Sequence, residues 1–264
     1  MSAVLLPVAS GRVSGVAYTA VGEGSPVTVF AHGLGGSAAE TRPLAARVPG
    51  TRVLLDFRGH GASDALVDGW DYDLFADDLL AVADAVGATR AVGLSVGSGA
   101  LLRVLSRCPD RFERLAMVMP AAIDHARDDG ATQAIRRLGK AIDDQDVEAV
   151  TSVLLAELPA DVRTKRGVRL LLGRRAAQLV TQPAPRPRIC DRPVHDRAVL
   201  AAVTAPALVV AQDEDPLHAL DLAVELAAAL PAAALLALPA GGVFWTAGAQ
   251  VARALARHLS EDAR

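Results

Sequence analysis

The sequence predicts an α/β protein in which helices flank a mostly parallel sheet and a block of helices is inserted late in the chain. Four apolar runs lack the alternation of half-exposed strands, which is typical of parallel strands buried on both faces, and they lie at 51–57, 89–95, 114–120 and 205–212. Helical patterns separate them, at about 38–47, 73–86, 97–107, 217–230 and 248–259. Such alternation predicts parallel strands joined by right-handed crossovers.

The remaining strands are predicted at 12–20, at 26–33 and, in the alanine-rich run AAALLALP, at 232–239. Between 121 and 200 the sequence has helical patterns, at about 131–141, 145–157 and 161–179, followed by the proline-rich segment 181–193. We therefore expect residues 1–120 and 201–264 to form the core domain and residues 121–200 to form a helical cap.

Composition excludes several classes of function. The net charge of −3 gives no reason to expect nucleic-acid binding. The two cysteines, Cys108 and Cys190, match no metal or redox spacing, so neither a metal nor a cofactor is expected. The N-terminus reads poorly as a signal peptide, and the most apolar tract is broken by glutamate, proline and glycine. These features predict a cytoplasmic protein that does not bind membranes.

The predicted cap is basic. From Asp161 to Arg197 it carries ten Lys/Arg against three Asp, the basic positions being 163, 165, 166, 169, 174, 175, 186, 188, 192 and 197. One interpretation is a solvated helix face, as charge runs usually are. The other is a basic rim that attracts an anionic small molecule or an acidic peptide as substrate.

Two motifs indicate acyl-transfer chemistry. GLSVG (93–97) lies between a predicted buried strand and a helix, where a tight turn projects Ser95 into a pocket beside a helix N-terminus. AHGLGG (31–36) follows another strand, and its glycines, Gly33 included, let backbone N–H groups enter the site. Leu34 and Val96 are the expected N–H donors to an oxyanion. The loop DFRGHGASD (56–64) is expected to brace these segments rather than to react.

In these motifs and their order, almost the whole chain resembles the α/β-hydrolase superfamily, whose fold carries a helical cap after the sixth strand. The resemblance implies that the triad acid follows the strand at 205–212, in AQDEDP, where spacing selects Asp215, with Asp213 as the alternative. Gln212 departs from the family pattern, which has glycine there.

The family's histidine is expected in a loop of the form PGGGHF, and this chain reads PAGGVFW. Val243 therefore stands in the histidine position, and Phe244 and Trp245 are expected to form an apolar wall. A serine without a base is a poor nucleophile. Among the other histidines, His218 is the candidate for a relocated base, since it follows Asp215 by three residues in the expected first turn of a helix. His195, at the end of the cap, is a candidate substrate contact.

Three functions follow. Without its base, the site could polarise an amide carbonyl and acidify the neighbouring Cα–H, which predicts a non-hydrolytic epimerase acting on a peptide. GLSVGSG and AGGVFWTAG also resemble the atypical α/β-hydrolase-like epimerases of the bottromycin pathway, which invert a peptide aspartate centre. The second hypothesis is a serine esterase or related hydrolase that uses Ser95, Asp215 and His218. The third is a non-catalytic protein that binds a peptide or product.

Overall fold

The computed structural model describes residues 8–66, 68–125, 130–156, 158–165, 167–181, 192–215 and 217–260. Its centre is an eight-stranded sheet in the order β1-β2-β4-β3-β5-β6-β7-β8, in which β1 and β2 are antiparallel and the other strands are parallel. The strands are β1 Val8–Val13, β2 Val16–Val21, β3 Val27–Ala31, β4 Thr51–Leu55, β5 Arg90–Leu94, β6 Arg114–Val118, β7 Ala207–Gln212 and β8 Ala233–Leu238. The predicted fold class is confirmed.

Nine helices occur in the described part of the chain. They are α1 Ala38–Ala45, α2 Tyr72–Val86, α3 Val96–Arg107, α4 Gly130–Asp143, α5 Val147–Ala156, α6 Ala160–Arg163, α7 Val168–Thr181, α8 Leu220–Ala229 and α9 Gly248–Ser260. A 3₁₀ turn at Arg197–Ala202 precedes β7, and a π-helical turn at Gly242–Thr246 precedes α9.

Three predicted elements were wrong in their extent. The strand predicted at 12–20 is a hairpin, because Ser14 and Gly15 both adopt positive φ and reverse the chain. The helix predicted at 161–179 is divided into α6 and α7, and Gly167, with φ +91°, lies between them. The helix predicted from 217 begins only at Leu220, so that His218 belongs to the preceding loop.

The sheet is buried on both faces, because successive strand residues point to opposite sides. Val29, Val53 and Val209 pack in one cluster with residues of α2, α3 and α8. Their chain neighbours Phe30 and Leu54 pack in the other cluster, with α1 and α9. This double burial explains why the strands read as continuous apolar runs.

Helices α4–α7, here called the inserted helices, lie between β6 and β7 in the chain. They have a small core of their own, formed by Ala141, Val150, Ala176 and Leu179. They also contact the loop that follows β8, since a β-carbon on Gly241 would lie 2.8 Å from the Pro159 side chain. Most of the predicted proline-rich segment 181–193 lies outside the described residues.

No helix in the described ranges has the length and apolarity that crossing a membrane requires.

The close approach of α3 to the sheet yields a stability prediction. A β-carbon on Gly97 would overlap the carbonyl oxygens of Ala31 and His32. We expect Gly97→Ala to lower the free energy of unfolding by about 1–3 kcal/mol, as overpacking does. Gly139→Ala is the control, because nothing lies within 4 Å of its added methyl group, and in a helix the change stabilises by about 0.5–1 kcal/mol. Urea unfolding of both variants measures the difference, and equal effects would contradict this packing.

Candidate active site

Ser95 occupies the sharp turn between β5 and α3. Its backbone has φ 52° and ψ −112°, a strained conformation for a residue with a β-carbon. The Ser95 N–H donates to the carbonyl oxygen of Val118 at 2.9 Å, which ties the turn to β6. The turn is tightly packed, and β-carbons at Gly93 and Gly97 would collide with neighbouring backbone atoms, so these positions require glycine. The side chain is thus held, half-buried, at the carboxyl edge of the sheet.

Ser95, His218 and Asp215 form a continuous chain of hydrogen-bonding contacts. The Ser95 Oγ lies 2.8 Å from His218 Nε2, and His218 Nδ1 lies 3.1 Å from Asp215 Oδ1. The His218 and Asp215 side chains are only 11% and 5% exposed. The structure therefore brings together the three residues that the sequence selected as candidates for catalysis.

The loop after β7 holds both Asp215 and His218. Asp215 Oδ1 accepts hydrogen bonds from the backbone N–H groups of Leu217 and His218, at 2.8 and 2.9 Å. Burial raises the pKa of Asp215, but the hydrogen bond and positive charge of His218 and the two N–H donors outweigh burial, and the net pKa is lowered. A carboxylate that stays ionised beside the imidazole can stabilise a protonated histidine.

Gln212 connects the acid to the turn where the family's histidine would stand. Its Nε2 donates to Asp215 Oδ2 at 2.8 Å, and its Oε1 accepts the Val243 backbone N–H at 2.9 Å. Val243 itself is 1% exposed and packs in the core with residues such as Leu94 and Val118. The Val243 side chain is therefore a core residue, and the side chain of Gln212 fixes the second carboxylate oxygen of Asp215.

The glycine loop, defined as residues 32–36, lies next to Ser95. A β-carbon on Gly33 would be 3.4 Å from the Ser95 Cβ. In the described part of the chain, no hydrogen-bond acceptor is found for the N–H of Leu34 or of Val96. Val96 begins α3, whose N-terminal dipole favours negative charge at this point. These two N–H groups are suited to bind an oxyanion that forms on an atom attacked by Ser95.

Side chains hold the glycine loop from several sides. His32 Nδ1 lies 2.7 Å from the Gly33 carbonyl oxygen, and its Nε2 accepts the Phe57 N–H at 3.0 Å. The Gly33 N–H donates to Glu40 Oε2 at 3.0 Å, and the Gly35 N–H donates to His60 Nε2 at 3.0 Å. His60 braces the loop, as expected.

Three other predicted site residues, His195, Phe244 and Trp245, lie outside the contacts that join Ser95, His218 and Asp215. His195 is not brought to the serine: its Nε2 lies 2.9 Å from Arg103 Nη1. Arg103 is eight residues along α3 from Ser95, or roughly 12 Å of helix. Phe244 is 39% exposed and Trp245 is partly buried, both in the π-helical turn.

Sequence reasoning missed the roles of Glu40 and Gln212. Glu40 carried no motif signal, because its contact with Gly33 arises only when α1 folds back on the glycine loop. Gln212 departs from the family pattern, and that departure is the signal that the sequence offers. Within the described residues, no group of three or more His, Cys, Asp or Glu side chains is arranged to hold a metal ion.

Comparisons with known proteins agree with this architecture. Residues 28–254 match the family model described as "Alpha/beta hydrolase family". The structure is similar to the meta-cleavage product hydrolase CumD of Pseudomonas fluorescens IP01, with a TM-score of 0.77 at 20% identity over 95% of this chain and 96% of that one. At this identity the likeness establishes the fold.

Curated relatives match over shorter stretches. The non-heme chloroperoxidase CPO-A1 of Kitasatospora aureofaciens is 41% identical over 110 residues, which are 39% of this chain and 39% of that protein. The bifunctional esterase/perhydrolase DCH of Acinetobacter calcoaceticus is 37% identical over 91 residues, 33% of each. The matched stretches thus span well under half the length of these relatives.

The buried histidine beneath the glycine loop predicts acid sensitivity. Burial, and then the charge of neighbouring His60, lowers the pKa of His32 from 6.5 to about 3. Between pH 6.5 and about pH 3, His32 binds a proton in the unfolded chain but stays neutral in the folded protein. Its stabilising contribution is therefore complete above pH 6.5 and is lost as the pH falls towards 3, by about 1 kcal/mol per pH unit.

His32→Gln keeps a donor and an acceptor but does not titrate. We expect urea unfolding between pH 7 and pH 4.5 to show a shallower loss of stability for this variant than for the wild type. His125→Gln, at an exposed position, should follow the wild type. Identical slopes for His32→Gln and the wild type would contradict the assignment.

Proposed function

The chain belongs to the alpha/beta hydrolase family, and from that membership and its site geometry we propose that it is a serine hydrolase acting on small esters. Ser95 is the nucleophile, His218 the general base and Asp215 the triad acid. The observation that carries the proposal is the pair of contacts at 2.8 Å and 3.1 Å that link Ser95 to His218 and His218 to Asp215. Nucleophile, base and orienting acid within hydrogen-bond reach are the signature of an activated serine.

In the first half of the proposed reaction, Ser95 Oγ attacks the ester carbonyl carbon and its proton passes to His218 Nε2. The carbonyl oxygen becomes an oxyanion that accepts hydrogen bonds from the N–H groups of Leu34 and Val96. Asp215 stabilises the resulting imidazolium through Nδ1. The tetrahedral intermediate then collapses, the C–O bond to the alcohol breaks, and His218 returns the proton to the departing oxygen.

In the second half, water attacks the acyl-enzyme carbonyl and gives its proton to His218. The same two N–H groups hold the second oxyanion. Collapse releases the carboxylic acid, and His218 protonates Ser95 Oγ to restore the free enzyme. Every proton moves between the substrate, water, Ser95 and His218, so the cycle needs no cofactor.

Ester hydrolysis is favoured over the other hypotheses by specific observations. The epimerase hypothesis depended on a serine without a base, and a histidine nitrogen 2.8 Å from Ser95 Oγ removes that premise. One relative is named an esterase/perhydrolase, and a structural neighbour is named a hydrolase. No finding supports peptide epimerisation or a bottromycin-type substrate. A purely binding protein would not need the strained backbone at Ser95.

The contacts of the inserted helices support the proposal that residues 121–200 form a cap. They reach loops at the carboxyl edge of the sheet, at Gly35 and Gly241. A cap of this kind limits the substrate to what fits beneath it.

The proposal predicts that Ser95 is chemically activated. The purified protein should form a one-to-one adduct with a fluorophosphonate, measured by intact mass, and should hydrolyse p-nitrophenyl acetate. Ser95→Ala and His218→Ala should both abolish labelling, with kcat reduced on the order of 10⁶, because nucleophile and base act as a unit.

His258→Ala is the matched histidine control, since its Nε2 contacts the Leu115 carbonyl oxygen, remote from Ser95. It should label at the wild-type rate. An unlabelled wild type would refute the hydrolase proposal, and deuterium exchange into peptide Cα positions would then test the epimerase alternative. Labelling that survives His218→Ala would show that another group is the base.

Gln212 should matter for turnover more than for binding. Gln212→Met removes the donor to Asp215 Oδ2, and a lost hydrogen bond to a charged group predicts about a tenfold decrease in kcat with little change in KM. Gln250→Met, at an exposed position of α9, is the control and should match the wild type. Esterase kinetics on both variants decide the point, and an unchanged kcat for Gln212→Met would exclude a role in positioning the acid.

A further inference from the structure

Among the described arginines of the basic segment 161–197, Arg175 differs from Arg163, Arg169 and Arg197 in where its side chain binds. Arg169 pairs with Glu148, Arg197 pairs with Asp124 and Glu225, and Arg163 donates to backbone carbonyls of its own neighbourhood. These contacts fit the interpretation of a solvated face. Arg175, on α7, instead donates to the carbonyl oxygen of Gly35, in the glycine loop of the core. Arg175 therefore joins the basic segment to the glycine loop beside Ser95.

The glycine loop that Arg175 contacts also holds a carboxylate, that of Glu40 in the first turn of α1. Its Oε2 accepts the Gly33 N–H at 3.0 Å, and the same oxygen would collide with a β-carbon on Gly36. The carboxylate thus lies against the loop that presents the Leu34 N–H. A negative charge here opposes an oxyanion forming at Ser95, because like charges repel strongly in a partly desolvated site.

The surroundings of Glu40 include two positive or ionisable groups. Burial raises the pKa of Glu40, while the Gly33 N–H, Arg175 on α7 and His218 on the loop after β7 lower it, and the net shift is upward. Burial lowers the pKa of Arg175, and the charge of Glu40 opposes this. The two side chains contact the same glycine loop from either side of the boundary between the core and the inserted helices, Arg175 at Gly35 and Glu40 at Gly33. No ion pair within 4.0 Å joins them among the described contacts.

We propose that Arg175 is a positioning residue for the hydrolytic reaction: anchored on Gly35, it offsets the charge of Glu40 beside the oxyanion donors. The oxyanion hole is then electrostatically competent only while α7 is seated on the glycine loop. This inference rests on the proposed serine hydrolase, and it assigns the inserted helices a part in the chemistry besides their proposed role as a cap.

A double-substitution cycle tests it, with Arg175→Gln, Glu40→Gln and the two combined. Glu40→Gln keeps a carbonyl oxygen to accept the Gly33 N–H and removes only the charge. We expect Arg175→Gln to lower kcat for p-nitrophenyl acetate by about 10- to 100-fold with KM little changed. The combined variant should recover most of that loss, and Arg175→Lys should retain most of the wild-type kcat. Arg174→Gln, an exposed neighbour on the same helix, is the matched control and should equal the wild type.

A pH profile separates this role from simple attachment of α7. In Arg175→Gln the activity relative to the wild type should fall as the pH rises and Glu40 ionises without compensation. That fall should be absent in the combined variant. Loss of attachment alone would lower kcat equally in Arg175→Gln and in the combined variant, at every pH. It would also lower the midpoint of thermal unfolding.

The outcomes distinguish the two proposals. A wild type that neither labels at Ser95 nor hydrolyses the ester refutes the hydrolase and this inference with it. If the wild type is active, either of two results overturns the inference and leaves the hydrolase standing. In one, the effects of the two substitutions on kcat multiply in the combined variant. In the other, Arg175→Gln raises only KM. Should Arg175→Gln not fold, Arg175→Lys decides, since a loss of kcat of tenfold or more in that folded variant would also overturn it.

Discussion

The contact between His218 and Asp215 is the constraint on which the site depends. Both residues belong to one loop, three positions apart, and the loop is closed on itself by two backbone N–H groups that donate to the carboxylate. The imidazole is thus oriented by a local turn rather than by the meeting of two distant loops. An imidazole oriented in this way reaches Ser95 through its Nε2 because β5 and β7 hold the two loops at the same edge of the sheet.

This local arrangement explains the substitutions elsewhere in the site. With His218 on the loop after β7 in contact with Ser95, the turn after β8 can bury Val243 in the core. The acid then needs a partner for its second oxygen, and Gln212 supplies the amide while its other end holds the Val243 N–H. Val243, Gln212 and His218 therefore form one coupled solution. Each looks like a defect when it is compared singly with the family pattern.

The fold was predictable because hydrophobic burial on both faces of a parallel sheet leaves a direct trace in the sequence. The hairpin at Ser14–Gly15 was missed because the residues on both sides of the turn favour strands. Ser95, Asp215 and the glycine loop could be found from motifs, since strained turns and N–H donors require small residues at fixed spacing. The sequence could offer His218 as a candidate base but could not show that it reaches Ser95, because that distance depends on the order of the strands in the sheet. The contact of Arg175 with Gly35 joins segments 140 residues apart and has no local signature. The contact of Glu40 with Gly33 spans only seven residues, but no motif announces it.

The tautomer of His218 is the most direct test of its proposed role as general base. A general base must present a bare Nε2 to Ser95 Oγ and carry its proton on Nδ1, towards Asp215. Nitrogen-15 NMR of histidine-labelled protein at neutral pH, assigned with His218→Gln, identifies the tautomer. We expect the Nδ1–H form. A ring protonated on Nε2 alone would donate to the serine rather than accept its proton, and would contradict the assignment of His218 as the base.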